Sequence, residues 1–215
     1  MKLRLQPIRV FCLHHVTKEF DPETMHECDW MQIDEFKNKV MSLQQSGVKF
    51  ISLTEAHEKL QHDWFRCNKY AVLTFDDGWA SLKEILPWLE EQYIPVTLFL
   101  NPAYIKGCER RELGISMNQS ELVVFLKSGN IEIASHGWNH ALCVERSMRE
   151  FMESVNHSIE YLSQYDGYIP FYAYPCGRYT QLHDDYLHSY GITPVYCDGL
   201  RNYNDMMAIH REFLS

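Results

Sequence analysis

The sequence predicts an α/β fold: a shortened or distorted (β/α) barrel of about seven parallel strands. Three observations lead there. Short apolar, β-branched or aromatic runs recur along the 215 residues. Helical stripes of apolar residues fall between them, and several runs are apolar throughout, as strands covered on both faces must be. Roughly seven strands are too many for a small open sheet and slightly few for a complete barrel, which takes about 250 residues. A doubly wound open sheet fits the same pattern and is the alternative.

In chain order, the apolar runs place strands at residues 9–16, 48–53, 70–75, 95–100, 131–135, 169–174 and 192–197. Between them Ile33, Phe36, Val40 and Leu43 share one helical stripe, and Gly47 follows as its C-terminal stop. Met148, Phe151, Met152, Val155, Ile159 and Leu162 make a second stripe. Ser81 and Ser120 are the expected N-caps, the latter opening a helix that Gly129 closes. Pro87, inside the pattern that starts at Ser81, makes that helix kink or begin later. The one long irregular stretch runs from residue 101 to 119. With no repeat, low-complexity tract or linker, residues 1–215 read as a single domain.

Composition excludes several partners. The chain is 46% hydrophobic and 23% charged, enough apolar residue to bury a sizeable core. Its formal net charge of -9 disfavours nucleic acid and anionic membranes, which reward clustered Lys and Arg. No apolar run is long enough for a membrane span. The N-terminal MKLRLQPIRVFCLHHV lacks the apolar core and cleavage site of a secretory signal, so a cytoplasmic location is expected. Seven cysteines, at 12, 28, 67, 108, 143, 176 and 197, include no C-x2-C pair. Reduced, mostly buried thiols are therefore expected, rather than a disulfide framework or a cysteine zinc knuckle.

The chemistry gathers at strand ends, where parallel sheets of either architecture bind ligands. The run AVLTF ends in Asp76, Asp77 and Gly78. Two neighbouring carboxylates must be relieved by solvent, a shared proton or a cation. A second strand, IEIAS, runs into His136 and His140, an interval that sets two imidazoles on one side of a turn, as in a shared metal site. Two imidazoles and a carboxylate suit a borderline divalent ion, zinc first, with nickel, cobalt or iron as alternatives. One aspartate then ligates while the other takes a proton from water. FYAYPCGRY at 171–179 is a third strand ending in Pro-x-Gly, and MMAIHRE brings His210 or Arg211 towards the same cavity.

TFDDG at 74–78, SHGWNH at 135–140 and AYPCG at 173–177 resemble, in order, the motifs of the polysaccharide deacetylase family, the NodB-homology or carbohydrate esterase 4 group. FCLHHV at 11–16 resembles the family's first strand, often Tyr-His-x-Val, and IDEFKNKVMSLQQSGVKFISL the helix and strand that follow, so the likeness covers nearly the whole chain. The resemblance implies a NodB-like barrel that removes N-acetyl groups from an acetylated, GlcNAc-type saccharide. It implies Asp77, His136 and His140 as metal ligands and Asp76 as general base. The backbone N–H of Cys176 would serve as an oxyanion donor and His210 as general acid. Trp79, Trp138, Tyr174, Pro175 and His14 would meet the substrate. Many members carry Arg two residues before the third-motif proline, whereas this chain has Ala173 before Tyr174 and Pro175. It therefore resembles the Phe-Ala-Tyr-Pro subgroup, with Arg211 supplying the missing cation from another strand. The same fold would also serve an O-acetyl ester, a non-sugar amide, or a metal- or saccharide-binding relative that has lost catalysis.

Overall fold

The computed structural model describes residues 7–62, 69–111, 114–127, 129–203 and 207–214. The elements run β1 (Ile8–Leu13), β2 (His15–Thr17), β3 (Trp30–Gln32), α1 (Ile33–Gln45), β4 (Val48–Phe50), α2 (Leu53–His62) and β5 (Lys69–Phe75). They continue with α3 (Leu86–Glu91), β6 (Val96–Leu100), α4 (Pro102–Ile105), α5 (Gln119–Leu126), β7 (Ile131–Ser135) and α6 (Met148–Leu162). The last are β8 (Tyr168–Ala173), α7 (Gln181–Ser189), β9 (Thr193–Tyr196), β10 (Ile209–His210) and β11 (Glu212–Phe213).

Eight strands follow one path, β10-β9-β8-β7-β6-β5-β1-β11, parallel throughout, with β4 beside β5 off the path. Arg211 alone separates β10 from β11 in sequence, so the two ends of the path meet at one residue and the barrel is nearly closed. The expectation of about seven strands fell short because β10 and β11, two residues each, are too short to show a period. The open-sheet alternative is set aside.

Strand alternation sorts side chains into two layers. Val10, Val72, Phe99, Ala134, Ala173, Val195 and Ile209 form one buried cluster inside the barrel, and α2 adds Leu53, Ala56 and Leu60 to it. Phe11, Leu73, Phe75, Leu98 and Ile133 face outward, under Phe36 and Val40 of α1 and Leu162 of α6. Each large aliphatic or aromatic side chain so buried contributes about 1.5–3 kcal/mol. Glu132 ties the two ends of this arrangement together: its Oε2 accepts the N–H groups of Leu53 (2.9 Å) and Thr54 (3.3 Å) at the start of α2 and the Thr97 hydroxyl (3.2 Å).

Several expected boundaries move for local reasons. The strand expected over 9–16 breaks at His14, and β2 pairs with β3 in a separate two-stranded sheet. Ser120 is not an N-cap: Asn118 Oδ1 accepts from the N–H groups of Ser120 (2.9 Å) and Glu121 (3.1 Å), completing a capping box with Glu121. Ser81 caps nothing either. It lies in a 3₁₀ turn over Ala80–Glu84, and its Oγ partners His15 Nδ1 at 3.0 Å. α3 begins after that turn, which leaves Pro87 in its first turn, where a missing N–H costs nothing.

The cysteines are free but not mostly buried. Cys12 and Cys143 are buried, Cys197 is half-buried, and Cys28, Cys108 and Cys176 are exposed; Cys67 lies outside the described residues. Among the described residues, no helix is long and apolar enough to cross a membrane.

Candidate metal centre

β5, β6, β7 and β8 all end at the same rim of the barrel, and the residues that follow them build the site. Alternation along β5 aims Thr74 and Asp76 inward. Asp77 then adopts φ +73° and Gly78 φ +65°, a left-handed pair that turns the chain and sends the second carboxylate into the cleft above the rim. A Cβ on Gly78 would also lie 2.7 Å from Leu100 Cδ2, so that side chain would have to shift to admit one. Four non-glycine residues have positive φ among the described residues, and Asp77, His140 and Cys176 are three of them. Such strain collects where a site over-determines its backbone.

Asp77 Oδ1 lies 3.4 Å from His140 Nε2 and 3.9 Å from His136 Nε2, and ligand atoms of the three residues fall within 4.8 Å of one another. His136 Nδ1 is 2.8 Å from the Ala173 carbonyl, to which it donates, so its Nε2 lone pair faces the aspartates. Burial holds the His136 imidazole down to about 4, against the pull of Asp76 and Asp77, and burial lowers His140 too. Neutral imidazoles and an ionised carboxylate converging on one point are the donor set of a divalent cation, and the residues present fit one.

Each aspartate has its own arginine. Burial would raise the Asp76 carboxyl, but Arg211 and His136 hold it far below the usual carboxylate range. Arg211 is itself fully buried and grips both oxygens, Nη1 to Oδ1 at 2.6 Å and Nη2 to Oδ2 at 2.8 Å, with Nη1 also on Thr74 Oγ1 at 3.1 Å. Asp77 is lowered despite its burial by His136, Arg111 and His140. Arg111 Nη2 reaches the Asp77 carbonyl (2.9 Å), Asp77 Oδ1 (3.0 Å) and Asn101 Oδ1 (2.6 Å). Its guanidinium lies 4.2 Å from the Trp79 ring and 4.4 Å from the Tyr104 ring. Asn101 Nδ2 in turn donates to the carbonyls of His136 (2.5 Å) and Gly137 (3.2 Å), fixing the loop that carries the histidines.

The cleft has a volume of about 590 Å³, and His15, Asp77, Trp79, Arg111, His140 and Cys176 are among its walls. Of the residues expected to meet substrate, Trp79 lines it, stacked on His15 at 4.4 Å. His14 lies deeper, with a ring nitrogen within 4.8 Å of the Asp76 carboxylate and the Cys12 thiol. Pro175 is buried in the 3₁₀ turn over Pro175–Gly177. Tyr174 and Trp138 are not cleft walls. Tyr174 follows the inward Ala173 and so points outward, buried, with its hydroxyl on Asp184 Oδ1 at 2.8 Å. Trp138 packs near His157 and lines a neighbouring cavity against α6. His210 also departs from expectation. Ile209 and Arg211 point into the barrel, so His210 takes the opposite strand face, its Nδ1 2.6 Å from Asp198 Oδ2, and it does not line the cleft.

Sequence reasoning missed Arg111, Asn101 and His15. Asn101 was within reach, because it follows the apolar run of β6 as Asp76 follows β5. Arg111 sits in the long irregular stretch, and nothing local marks it.

Residues 66–195 match the family described as "Polysaccharide deacetylase". The chain belongs to the polysaccharide deacetylase family. A curated relative, the peptidoglycan-N-acetylmuramic acid deacetylase PdaC of Bacillus subtilis, is 28% identical over 104 residues, which are 47% of this chain and 20% of that protein. The chain thus spans about a fifth of that relative's length. Among solved structures, IcaB from Ammonifex degensii superposes with a TM-score of 0.81 at 20% identity, covering 98% of this chain and 92% of that one. The Streptococcus pyogenes deacetylase PplD, solved with acetate, gives 0.82 at 17% identity over 97% and 92%. At these identities the likeness establishes the fold, a NodB-like barrel. β1 and the segment carrying Arg211 lie outside the family match, so Cys12, His14 and Arg211 join the site from beyond it.

Proposed function

We propose that the chain is a metal-dependent deacetylase hydrolysing N-acetyl groups of a GlcNAc-type saccharide or glycoconjugate. The observation that carries this reading is the convergence of Asp77, His136 and His140 beside a second, ionised carboxylate at the barrel rim. Family membership supports the reaction class, and the name of the curated relative supports an N-acetylated sugar as substrate. A divalent ion held by Asp77, His136 and His140, zinc first and nickel, cobalt or iron as alternatives, would polarise the acetyl carbonyl and lower the pKa of a water.

The chain's own groups do the rest. Asp76, kept ionised and oriented by the two Arg211 bonds, takes the proton of the attacking water. Arg211 thereby fills the place of the third-motif arginine that Ala173 leaves out, which favours the Phe-Ala-Tyr-Pro subgroup. The backbone N–H of Cys176, in the turn lining the cleft, is the donor for the developing oxyanion. An amide nitrogen leaves only when protonated. His14, on the Asp76 side of the site, is better placed for that proton transfer than His210, whose ring is paired with Asp198 on the far strand face. Cleavage of the C–N bond then yields acetate and a free amine. Trp79, stacked on His15 and packed against the Arg111 guanidinium, braces the cleft wall.

The test is acetate release from chitooligosaccharides by the zinc-loaded protein, with Asp77→Ala abolishing it and His14→Gln lowering kcat far more than His210→Gln. Undiminished release by Asp77→Ala would sink the mechanism. Turnover confined to O-acetyl esters in a parallel panel would move the assignment to an esterase.

A further inference from the structure

We infer that Tyr104, together with Asn101, is a positioning residue for the metal ligands: the turn after β6 grips the histidine loop at each carbonyl from His136 to Asn139 and so holds the two imidazoles in place. The inference rests on the metal-centre reading above and adds to it residues that act through His136 and His140. The loop needs such a grip. His140 has φ +59° without being a glycine, and Gly137 has φ +75°. A left-handed non-glycine residue is disfavoured and persists only where its surroundings over-determine it.

The hold comes from one short segment. Where β6 and β7 end, His136 N donates to the Leu100 carbonyl at 2.9 Å. Just beyond, Asn101 Nδ2 donates to the carbonyls of His136 (2.5 Å) and Gly137 (3.2 Å), Ala103 N to that of Trp138 (3.0 Å), and the Tyr104 hydroxyl to that of Asn139 (2.7 Å). Asn101 stands at the N-cap of α4, where an asparagine ordinarily accepts from the helix's own N–H groups, but its side chain makes no such bond. It is turned to the neighbouring loop instead. Its Oδ1 accepts from Arg111 Nη2 at 2.6 Å, so one buried amide links the histidine loop to the guanidinium that reaches Asp77. The turn is fixed from behind as well: Cys108 N and Glu109 N both donate to the Ala103 carbonyl (2.9 and 3.2 Å), and the Glu109 carboxylate accepts from Asn139 Nδ2 (3.1 and 3.0 Å).

Tyr104 gives the sharper handle on this clamp. Asn139 directly precedes His140, so the Tyr104 hydroxyl fixes the peptide that leads into the left-handed ligand. The Tyr104 ring is half-buried against the Arg111 guanidinium, 4.4 Å away, and phenylalanine would keep that packing while removing only the hydroxyl. Partners of this kind orient the ligands of a metal without touching it, and losing one typically weakens the site by roughly 10–100-fold.

Zinc calorimetry on the full-length chain, with urea unfolding and the visible spectrum of the cobalt-loaded protein, tests this without any use of turnover. Tyr104→Phe should weaken zinc binding by about tenfold or more and alter the cobalt spectrum. Its urea midpoint should move no further than that of Tyr165→Phe, which loses a hydroxyl bonded to Tyr161 (3.0 Å) away from the cleft and should bind zinc as the wild type does. Asn101→Ala should weaken binding further, since three hydrogen bonds go at once. Wild-type zinc affinity and an unaltered cobalt spectrum in Tyr104→Phe overturn the inference while leaving the metal reading intact. A wild-type chain that binds neither zinc, nickel nor cobalt overturns that reading and this inference with it.

Discussion

Asp76 and Asp77 are neighbours in sequence, yet they live in different environments. Asp76 points into the barrel, where Arg211, Thr74 and Cys12 surround it and His136 Nε2 lies 3.9 Å from its Oδ2. Asp77 turns through a left-handed backbone into the cleft, where it meets two imidazoles and the edge of Arg111. One carboxylate is clamped at both oxygens; the other is held at one and faces the histidines. The lesson is that an adjacent acidic pair need not share a cation or a proton. The chain separates the charges onto opposite sides of one strand end and gives each an arginine from a different distant segment.

The inner side of this comparison is where the largest effect is expected. Arg211→Met would strand Asp76 as an unpaired charge inside the barrel, at a cost of about 3–5 kcal/mol, and Arg211→Lys would recover little, because an ammonium does not match two oxygens at once. Urea unfolding of both variants measures this, and Asp76→Asn combined with Arg211→Met should restore part of the loss. A full recovery by lysine would show that the paired geometry is unimportant.

Acid sharpens the outer side. His15 and His136 are held neutral, both lowered to about 4 chiefly by burial, while their unfolded counterparts take up protons near 6.5. A folded pKa below the unfolded one means full stability above about pH 6.5 and loss as pH falls from there towards 4. The expected loss is on the order of 2–3 kcal/mol for each histidine. Denaturant midpoints measured across that window should fall steadily with acid, and His15→Phe should flatten the slope; an unchanged slope would show that His15 is not held neutral.

A smaller effect is expected at Arg111. Its pairing with Asp77 is at the edge of the cleft, and the guanidinium also packs against Trp79 and Tyr104. Arg111→Gln should cost about 1–2 kcal/mol, less than the Arg211 variants. Zinc titration of the same variant by calorimetry separates positioning of Asp77 from simple packing: weaker zinc binding with near-normal stability marks positioning, and the reverse marks packing.

Much of this molecule was legible in its residues alone. Apolar runs covered on both faces announced a parallel sheet, and the doublet at 76/77 and the pair at 136/140 announced a site at strand ends, because burial and metal-ligand chemistry are written in local spacing. The short closing strands around Arg211 were not legible, since two residues show no period. Nor was the outward turn of Tyr174 and His210, which depends on strand register at the barrel rim, or the reach of Arg111, which comes from a stretch with no periodic signal. The sequence by itself determined the alternation of strand and helix and singled out Asp77, His136 and His140 as candidate metal ligands. Only the tertiary structure decided which arginine neutralises which aspartate and which histidine faces the cleft. Those outcomes depend on how the barrel closes, and closure is a relation between segments that no single stretch of chain contains.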